Sequence, residues 1–115
     1  MKKAIAGYHL LMVLTIIDGT LNIKEEIIIK EWLENEFNTK ENLDDEMEIL
    51  STLKNEDFPA HFQQQMDIFY SNSTHKERME LLQFALFLIK ADGVITPEEN
   101  IYFDMLYNNW NEEKE

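Results

Sequence analysis

Apolar and polar residues follow helical spacing along the chain, and two segments share one pattern. Residues 10–33 read LLMVLTIIDGTLNIKEEIIIKEWL, and residues 84–107 read FALFLIKADGVITPEENIYFDMLY. Asp18-Gly19 aligns with Asp92-Gly93 at an offset of 74 residues (92 − 18). Each copy consists of an apolar helix, an Asp-Gly turn, a capping position and a second, amphipathic helix. The pattern therefore predicts two repeated helix pairs.

The spacing of apolar residues, together with the capping residues, predicts six helices joined by short connections. They cover about residues 3–17, 22–37, 40–54, 58–70, 74–91 and 96–110. Helices 1 and 5 are apolar nearly all round, which indicates that they pack centrally. The expected fold is all-α: a compact bundle of about six helices, in which two pseudo-repeated helix pairs flank a central two-helix insert.

Helix starts are marked by four candidate capping boxes, in which a polar residue is followed three positions later by Glu. They are Asn22 with Glu25, Asn38 with Glu41, Thr74 with Glu77, and Thr96 with Glu99. Pro59 and Pro97 suit the first turn of helices 4 and 6, because the backbone nitrogen needs no partner there. Gly19 and Gly93 suit the ends of helices 1 and 5, because glycine tolerates a left-handed conformation.

Length and composition describe one folded domain covering residues 1–115. Hydrophobic residues make up 44% of the chain, enough for a single core, and only three Gly and two Pro interrupt it. The formal net charge of −13 repels nucleic acid and anionic membrane surfaces, and it favours cations or basic partners. The chain has no cysteine, which excludes disulfides, cysteine nucleophiles and cysteine-based zinc sites.

The N-terminal segment has the order of a signal peptide, because Met1-Lys2-Lys3 precedes an apolar run that ends at Ile17. Tyr8 and His9 interrupt that run, no small-residue cleavage pattern follows it, and it is the repeat partner of an internal helix. The run is also too short to span a bilayer. We therefore expect the segment to belong to the fold, and the protein to be cytoplasmic without membrane insertion.

The two Asp-Gly segments match the later part of an EF-hand calcium loop, where Gly makes the turn and the final Glu binds the ion. The earlier ligand positions hold Leu88 and Lys90 in one copy, and Leu14 and Ile16 in the other. These side chains carry no oxygen, so EF-hand calcium binding is not expected. Each loop residue also has a structural role in turning the chain or capping a helix.

A second metal hypothesis draws oxygen ligands from both repeats to one divalent cation, such as Ca²⁺ or Mg²⁺. It requires the two Asp-Gly loops to lie close together in the fold. Its candidate ligands are Asp18, Glu25, Glu26, Asp92, Glu98 and Glu99.

An apolar helix followed by Ala-Asp-Gly-x-Ile-Thr-x-x-Glu resembles the TerB-like family, which includes tellurite-resistance TerB and the amino-terminal domain of DjlA-type co-chaperones. The match is best over residues 90–99, KADGVITPEE, and residues 18–25 fit as a more diverged copy. The resemblance implies an all-α fold with internal duplication, in a cytoplasmic bacterial protein linked to tellurite or other stress responses. It also implies that acidic residues of the motif are candidate metal contacts. Lys24 aligns with Glu98, so a shared metal site would be lopsided.

The sequence shows no catalytic arrangement. His9, His61 and His75 lack the spacing of metal ligands, and His9 is expected to be a core histidine whose ring nitrogens have partners. The serines have no nucleophile-elbow context, and no glycine-rich phosphate loop is present. We therefore predict that the protein is not an enzyme.

Two surfaces are candidates for protein contacts. One side of helix 3 is densely acidic, which is typical of a solvated face and also suits a basic partner. Aromatic residues, mostly on helices 2 and 6, are typical of packing and are also a candidate face for a homodimer or another protein partner: Trp32, Tyr70, Tyr102, Tyr107 and Trp110.

Two functional hypotheses follow from these features. The leading one is a non-enzymatic accessory or interaction module that resembles TerB-like proteins and acts in a tellurite or other stress response. The alternative is divalent metal-ion binding through the paired acidic Asp-Gly loops.

Overall fold

The computed structural model describes residues 2–17, 23–38, 43–91 and 95–111. These ranges form six α-helices: α1 (Lys2–Ile16), α2 (Ile23–Phe37), α3 (Asp44–Ser51), α4 (Phe58–Asn72), α5 (His75–Lys90) and α6 (Pro97–Asn111). A single 3₁₀ turn, Asn55–Asp57, precedes α4. No strand occurs in these ranges, so the predicted all-α fold is confirmed. None of the described helices combines the length and the apolar character needed to cross a bilayer.

Helix α1 lies at the centre of the fold and contacts each of the other five helices. Eleven of its fifteen residues are buried, as expected for a helix that is apolar on every side. Gly7 marks its closest approach to its neighbours. A Cβ atom at this position would lie 3.2 Å from Leu33 Cδ2 and 3.3 Å from Leu81 Cδ1. The missing side chain therefore lets α2 and α5 pack close to the backbone of α1.

Helix α5, the predicted second central helix, is buried on one side only. Leu81, Ala85 and Leu88 are buried, whereas Gln83 and Phe87 are exposed. Its more extensive contacts are with α1 and α6. The predicted central position is therefore confirmed for α1, while α5 packs beside it and keeps a solvent-facing side.

The third helix is shorter than predicted: it covers Asp44–Ser51 rather than residues 40–54, of which 40–42 lie outside the described residues. Local chemistry explains its C-terminal limit. The hydroxyls of Ser51 and Thr52 each donate to the backbone carbonyl oxygen three residues earlier, over 2.7 Å. Such bonds compete with the helical pattern and favour its end.

Asn38 ends α2 and does not begin α3. Its φ of 50° lies in the left-handed region that asparagine tolerates and that often follows the last turn of a helix. An N-cap residue has extended backbone instead. The predicted capping role of Asn38 for helix 3 is therefore wrong, because the N-cap of α3 is Leu43. Its predicted partner Glu41 and the predicted cap of helix 2, Asn22, lie outside the described residues.

The predicted capping box at the start of α5 is confirmed. Glu77 N donates to Thr74 Oγ1 over 3.2 Å, and Thr74 N donates to Glu77 Oε1 over 2.9 Å. Lys3 Nζ donates to Glu77 Oε2 over 2.6 Å, which ties α1 to α5. Burial alone would raise the pKa of the Glu77 carboxyl, but the bonds from Lys3 and Thr74 outweigh it and hold that pKa below its usual value.

Candidate functional site

A buried histidine in the central helix bonds to side chains from two other helices. His9, in α1, is only 3% exposed. Its Nδ1 lies 2.8 Å from Nε2 of His61 in α4, and its Nε2 lies 2.7 Å from Oε1 of Glu46 in α3. The expectation that both ring nitrogens of His9 have partners is therefore confirmed. We refer to these three side chains as the Glu46–His9–His61 network.

The carboxylate of Glu46 sets the direction of these hydrogen bonds when both rings are neutral. A carboxylate only accepts, so Nε2 of His9 carries the hydrogen and donates to Glu46. Nδ1 of His9 is then an acceptor, and it receives the hydrogen carried by Nε2 of His61. Nδ1 of His61 is left with a lone pair and acts as an acceptor.

Protonation of His9 would reverse the second bond of the network. Both nitrogens of a charged His9 donate, so Nε2 of His61 would accept and its Nδ1 would carry the hydrogen. Burial is the larger cause that lowers the pKa of His61 below its usual value, and the positive charge that His9 can carry is the smaller one. The network thus offers an acceptor at His61 when His9 is neutral, and a donor when His9 is charged.

The network forms part of the wall of a groove between α1, α3 and α4, with a volume of about 520 Å³. Helical spacing aligns the lining residues of α4, because His61, Gln65 and Ile68 recur at intervals of four and three. Ile5 from α1 and Ile49 from α3 complete the apolar wall. Ile49 is 46% exposed, so it lies at the open rim. The arrangement combines apolar walls with one hydrogen-bonding wall.

The acidic residues predicted as metal ligands do not form a metal site in the part of the chain that the structure describes. Asp18 and Asp92 lie outside the described residues, so the distance between the two Asp-Gly loops stays untested. Glu25 is half-buried in α2, and Glu98 is exposed at the start of α6. Among the described residues, no three His, Asp or Glu side chains are placed to hold a metal ion.

Glu26, another predicted ligand, binds neighbouring side chains. Tyr8 Oη donates to Glu26 Oε2 over 2.9 Å, and Lys30 Nζ lies 3.3 Å from the same oxygen. Burial, and then the bond to Glu26, raises the pKa of the Tyr8 hydroxyl well above its usual value. Tyr8 is therefore a neutral donor that fixes the position of α2 on α1.

Glu99 caps α6, as the sequence predicts. Thr96 N donates to Glu99 Oε1 over 2.9 Å, and Glu99 N donates to Thr96 Oγ1 over 3.1 Å. Glu99 is also buried. These bonds are the two halves of a capping box, so the carboxyl group of Glu99 has a structural role.

Two substitutions at the start of α6 distinguish a capping role of Glu99 from a metal-binding role. Thr96→Ala removes an acceptor that Glu99 N needs, and we expect it to lower the free energy of unfolding by about 1 kcal/mol. Glu99→Gln keeps an acceptor oxygen, and glutamine also suits this position, so we expect a loss of at most about 0.5 kcal/mol. Urea unfolding followed by circular dichroism measures both values.

The matched control for this prediction is a titration of chelator-treated protein with Ca²⁺, Mg²⁺, Mn²⁺ and Zn²⁺. A bound ion raises stability by mass action. If an ion stabilises the wild type and either Glu99→Gln or Asp92→Asn abolishes that rise, then these carboxylates bind metal and the purely structural account of the loops is wrong.

The aromatic residues considered as a partner face separate into two groups. Tyr102 and Trp110 are buried in the core. Trp32 is half-buried and stacks on Phe84, with ring centroids 4.5 Å apart. Tyr70 and Tyr107 are exposed. Tyr102 and Trp110 therefore serve packing, and the partner face stays a prediction for the other three.

The predicted acidic side of helix 3 contains one residue with an inward role. Glu46 is 19% exposed and bonds to His9, whereas Asp44, Asp45 and Glu48 are exposed. The sequence feature that indicates such a contact is His9, because a polar residue in an apolar, buried helix requires a hydrogen-bond partner. That signal does not identify Glu46 or His61 as the partners, so the sequence did not predict the network.

Comparison of the chain with protein-family models, with curated proteins and with solved structures gives no match. The resemblance to the TerB-like family therefore stays a prediction from residues 18–25 and 90–99.

Proposed function

We propose that the protein is a non-enzymatic binding module whose ligand occupies the groove between α1, α3 and α4. The observation that carries this proposal is the position of the Glu46–His9–His61 network in the wall of that groove. Binding sites for small molecules are typically concave and mostly apolar, with a few polar groups that orient the ligand. The volume of about 520 Å³ lies in the range of such sites.

The hydrogen bonds that the network makes join its own three side chains. Within the described part of the chain, no serine or threonine hydroxyl is hydrogen-bonded to His9 or His61. The described contacts therefore suit the rings to orienting a ligand in the groove. From the TerB-like resemblance we further propose that the module has an accessory role in a tellurite or other stress response of a bacterium.

Obstruction of the groove tests the proposal. Gln65 lines the groove one helical turn after His61, whereas Gln64 is exposed on the same helix and does not line it. We expect small apolar compounds to shift amide resonances of α1, α3 and α4 in nuclear magnetic resonance spectra of the labelled protein. Gln65→Trp fills the groove and should weaken this binding at least about tenfold, while Gln64→Trp should leave it unchanged.

The matched pair also shows how the proposal fails. Equal weakening by both tryptophans would mean that the compounds bind elsewhere or that α4 is disturbed. Resonance shifts confined to other helices would place the ligand site outside the groove and overturn the proposal.

A further inference from the structure

Resting on the proposed function, we infer that the groove selects small apolar molecules that carry a hydrogen-bond donor, with a primary amine as the preferred group. The groove discriminates against the same molecules when they carry a carboxylate. The structural basis is the direction of hydrogen bonding in the Glu46–His9–His61 network.

The network presents a hydrogen-bond acceptor, Nδ1 of His61, for a ligand in the groove. The carboxylate of Glu46 accepts from Nε2 of His9, and Nδ1 of His9 accepts from Nε2 of His61. When both rings are neutral, Nδ1 of His61 has a lone pair and no hydrogen. Within the described part of the chain this nitrogen has no hydrogen bond, and His61 is half-buried in the groove wall. A donor on a ligand that reaches this nitrogen therefore gains a hydrogen bond, and a carboxylate at the same position meets a second acceptor.

The charge of the groove wall favours a positively charged ligand group. Among the described residues that line the groove, Glu46 and Asp67 carry carboxylates, and Lys2 alone has a permanent positive charge. The formal net charge of the chain is −13, which adds a long-range attraction for cations. An ammonium group is therefore favoured over a neutral hydroxyl, and a hydroxyl over a carboxylate.

The rest of the groove wall is apolar, and the groove has the volume of a small-molecule site. Ile5, Ile49 and Ile68 provide apolar surface for the body of the ligand. The volume of about 520 Å³ suits a small molecule better than a helix of a partner protein, which needs a longer groove. We therefore assign the occupant to the class of small alkyl or aryl amines.

Hexylamine, hexanol and hexanoate test this inference, because they share one apolar body and differ in the polar group. Affinities are measured by calorimetry with the full chain at about pH 8, since burial lowers the pKa of His61 below its usual value. We expect hexylamine to bind at least about tenfold more tightly than hexanoate, with hexanol between them. This series uses the wild-type protein and does not depend on the folding of any variant.

Glu46→Gln and Glu48→Gln separate the direction of hydrogen bonding from overall charge. Each substitution removes one negative charge from α3, but only Glu46 contacts His9. A glutamine at position 46 can donate to Nε2 of His9, which lets the whole network reverse. We expect the ratio of hexylamine to hexanoate affinity to fall by about tenfold in Glu46→Gln and to stay within about twofold of the wild-type ratio in Glu48→Gln.

The outcomes distinguish this inference from the proposed function. If hexanoate binds as tightly as hexylamine, and Gln65→Trp weakens both, the groove is a binding site but the amine preference is wrong. An equal fall of the ratio in the two glutamine variants would attribute the preference to net charge and overturn the role of the network. If none of the three compounds binds at millimolar concentration, both the inference and the proposed function are wrong.

Discussion

Gly7→Leu is expected to destabilise the fold by about 3 kcal/mol, at the upper end of the cost of overpacking a core. The first atom of a new side chain would lie 3.2 Å from Leu33 Cδ2, 3.3 Å from Leu81 Cδ1 and 3.4 Å from Phe69 Cε2. All three neighbours are fully buried, so they have no free space to move into. The remaining atoms of leucine would have to separate α1 from α2, α4 or α5.

Urea unfolding followed by circular dichroism measures this loss, and Gly7→Ala is its control. Alanine adds only the Cβ atom, whose contacts require shifts of a few tenths of an ångström. It also gains up to about 1 kcal/mol of helix propensity over glycine, so we expect a net change within about 1 kcal/mol. A Gly7→Leu protein as stable as the wild type would contradict the close packing of α1 against its neighbours.

Trp110→Ala is expected to cost about 3–5 kcal/mol, because it removes a large side chain from the core. Trp110 is 1% exposed and stacks on Phe69 of α4, with ring centroids 5.2 Å apart. This contact attaches the last turns of α6 to the helix that carries His61. The truncated protein should therefore unfold at a much lower urea concentration.

Trp32→Ala is the matched control for the packing of α6, since it removes the same side chain from a half-buried site on α2. Its ring stacks on Phe84, so some stability is lost, but we expect only about 1–2 kcal/mol. If the two truncations cost the same, α6 is not packed as the structure shows. Circular dichroism in urea suits both variants, because it does not depend on tryptophan fluorescence.

The features that were predicted correctly from the sequence are each determined by residues close together along the chain. The capping boxes at Thr74 and Thr96 each involve residues three positions apart, so the start of a helix is enough to define their geometry. The central position of α1 also follows from its own composition, because a helix that is apolar on every side must be surrounded. Such features need no knowledge of how distant segments meet.

The features that the sequence did not predict depend on contacts between distant segments. His9 is 37 residues from Glu46 and 52 residues from His61 along the chain. Helical periodicity assigns each residue to a face of its own helix, but it does not determine which faces meet. The same limit applies to Gly7, whose role depends on three neighbouring helices. The case of Asn38 is local, because its backbone is left-handed and its capping pattern predicts an extended one.

The proposed preference of the groove for amines depends on the direction of hydrogen bonding in the network, from His61 to Glu46. Nitrogen chemical shifts of the imidazole rings test this direction directly, since protonated and unprotonated ring nitrogens resonate far apart. The chain has three histidines, and the exposed His75 is identified by its loss in His75→Gln. For the neutral rings of both His9 and His61 we predict a hydrogen on Nε2 and none on Nδ1. A hydrogen on Nδ1 of His61 would contradict the proposed acceptor and, with it, the selection of amines.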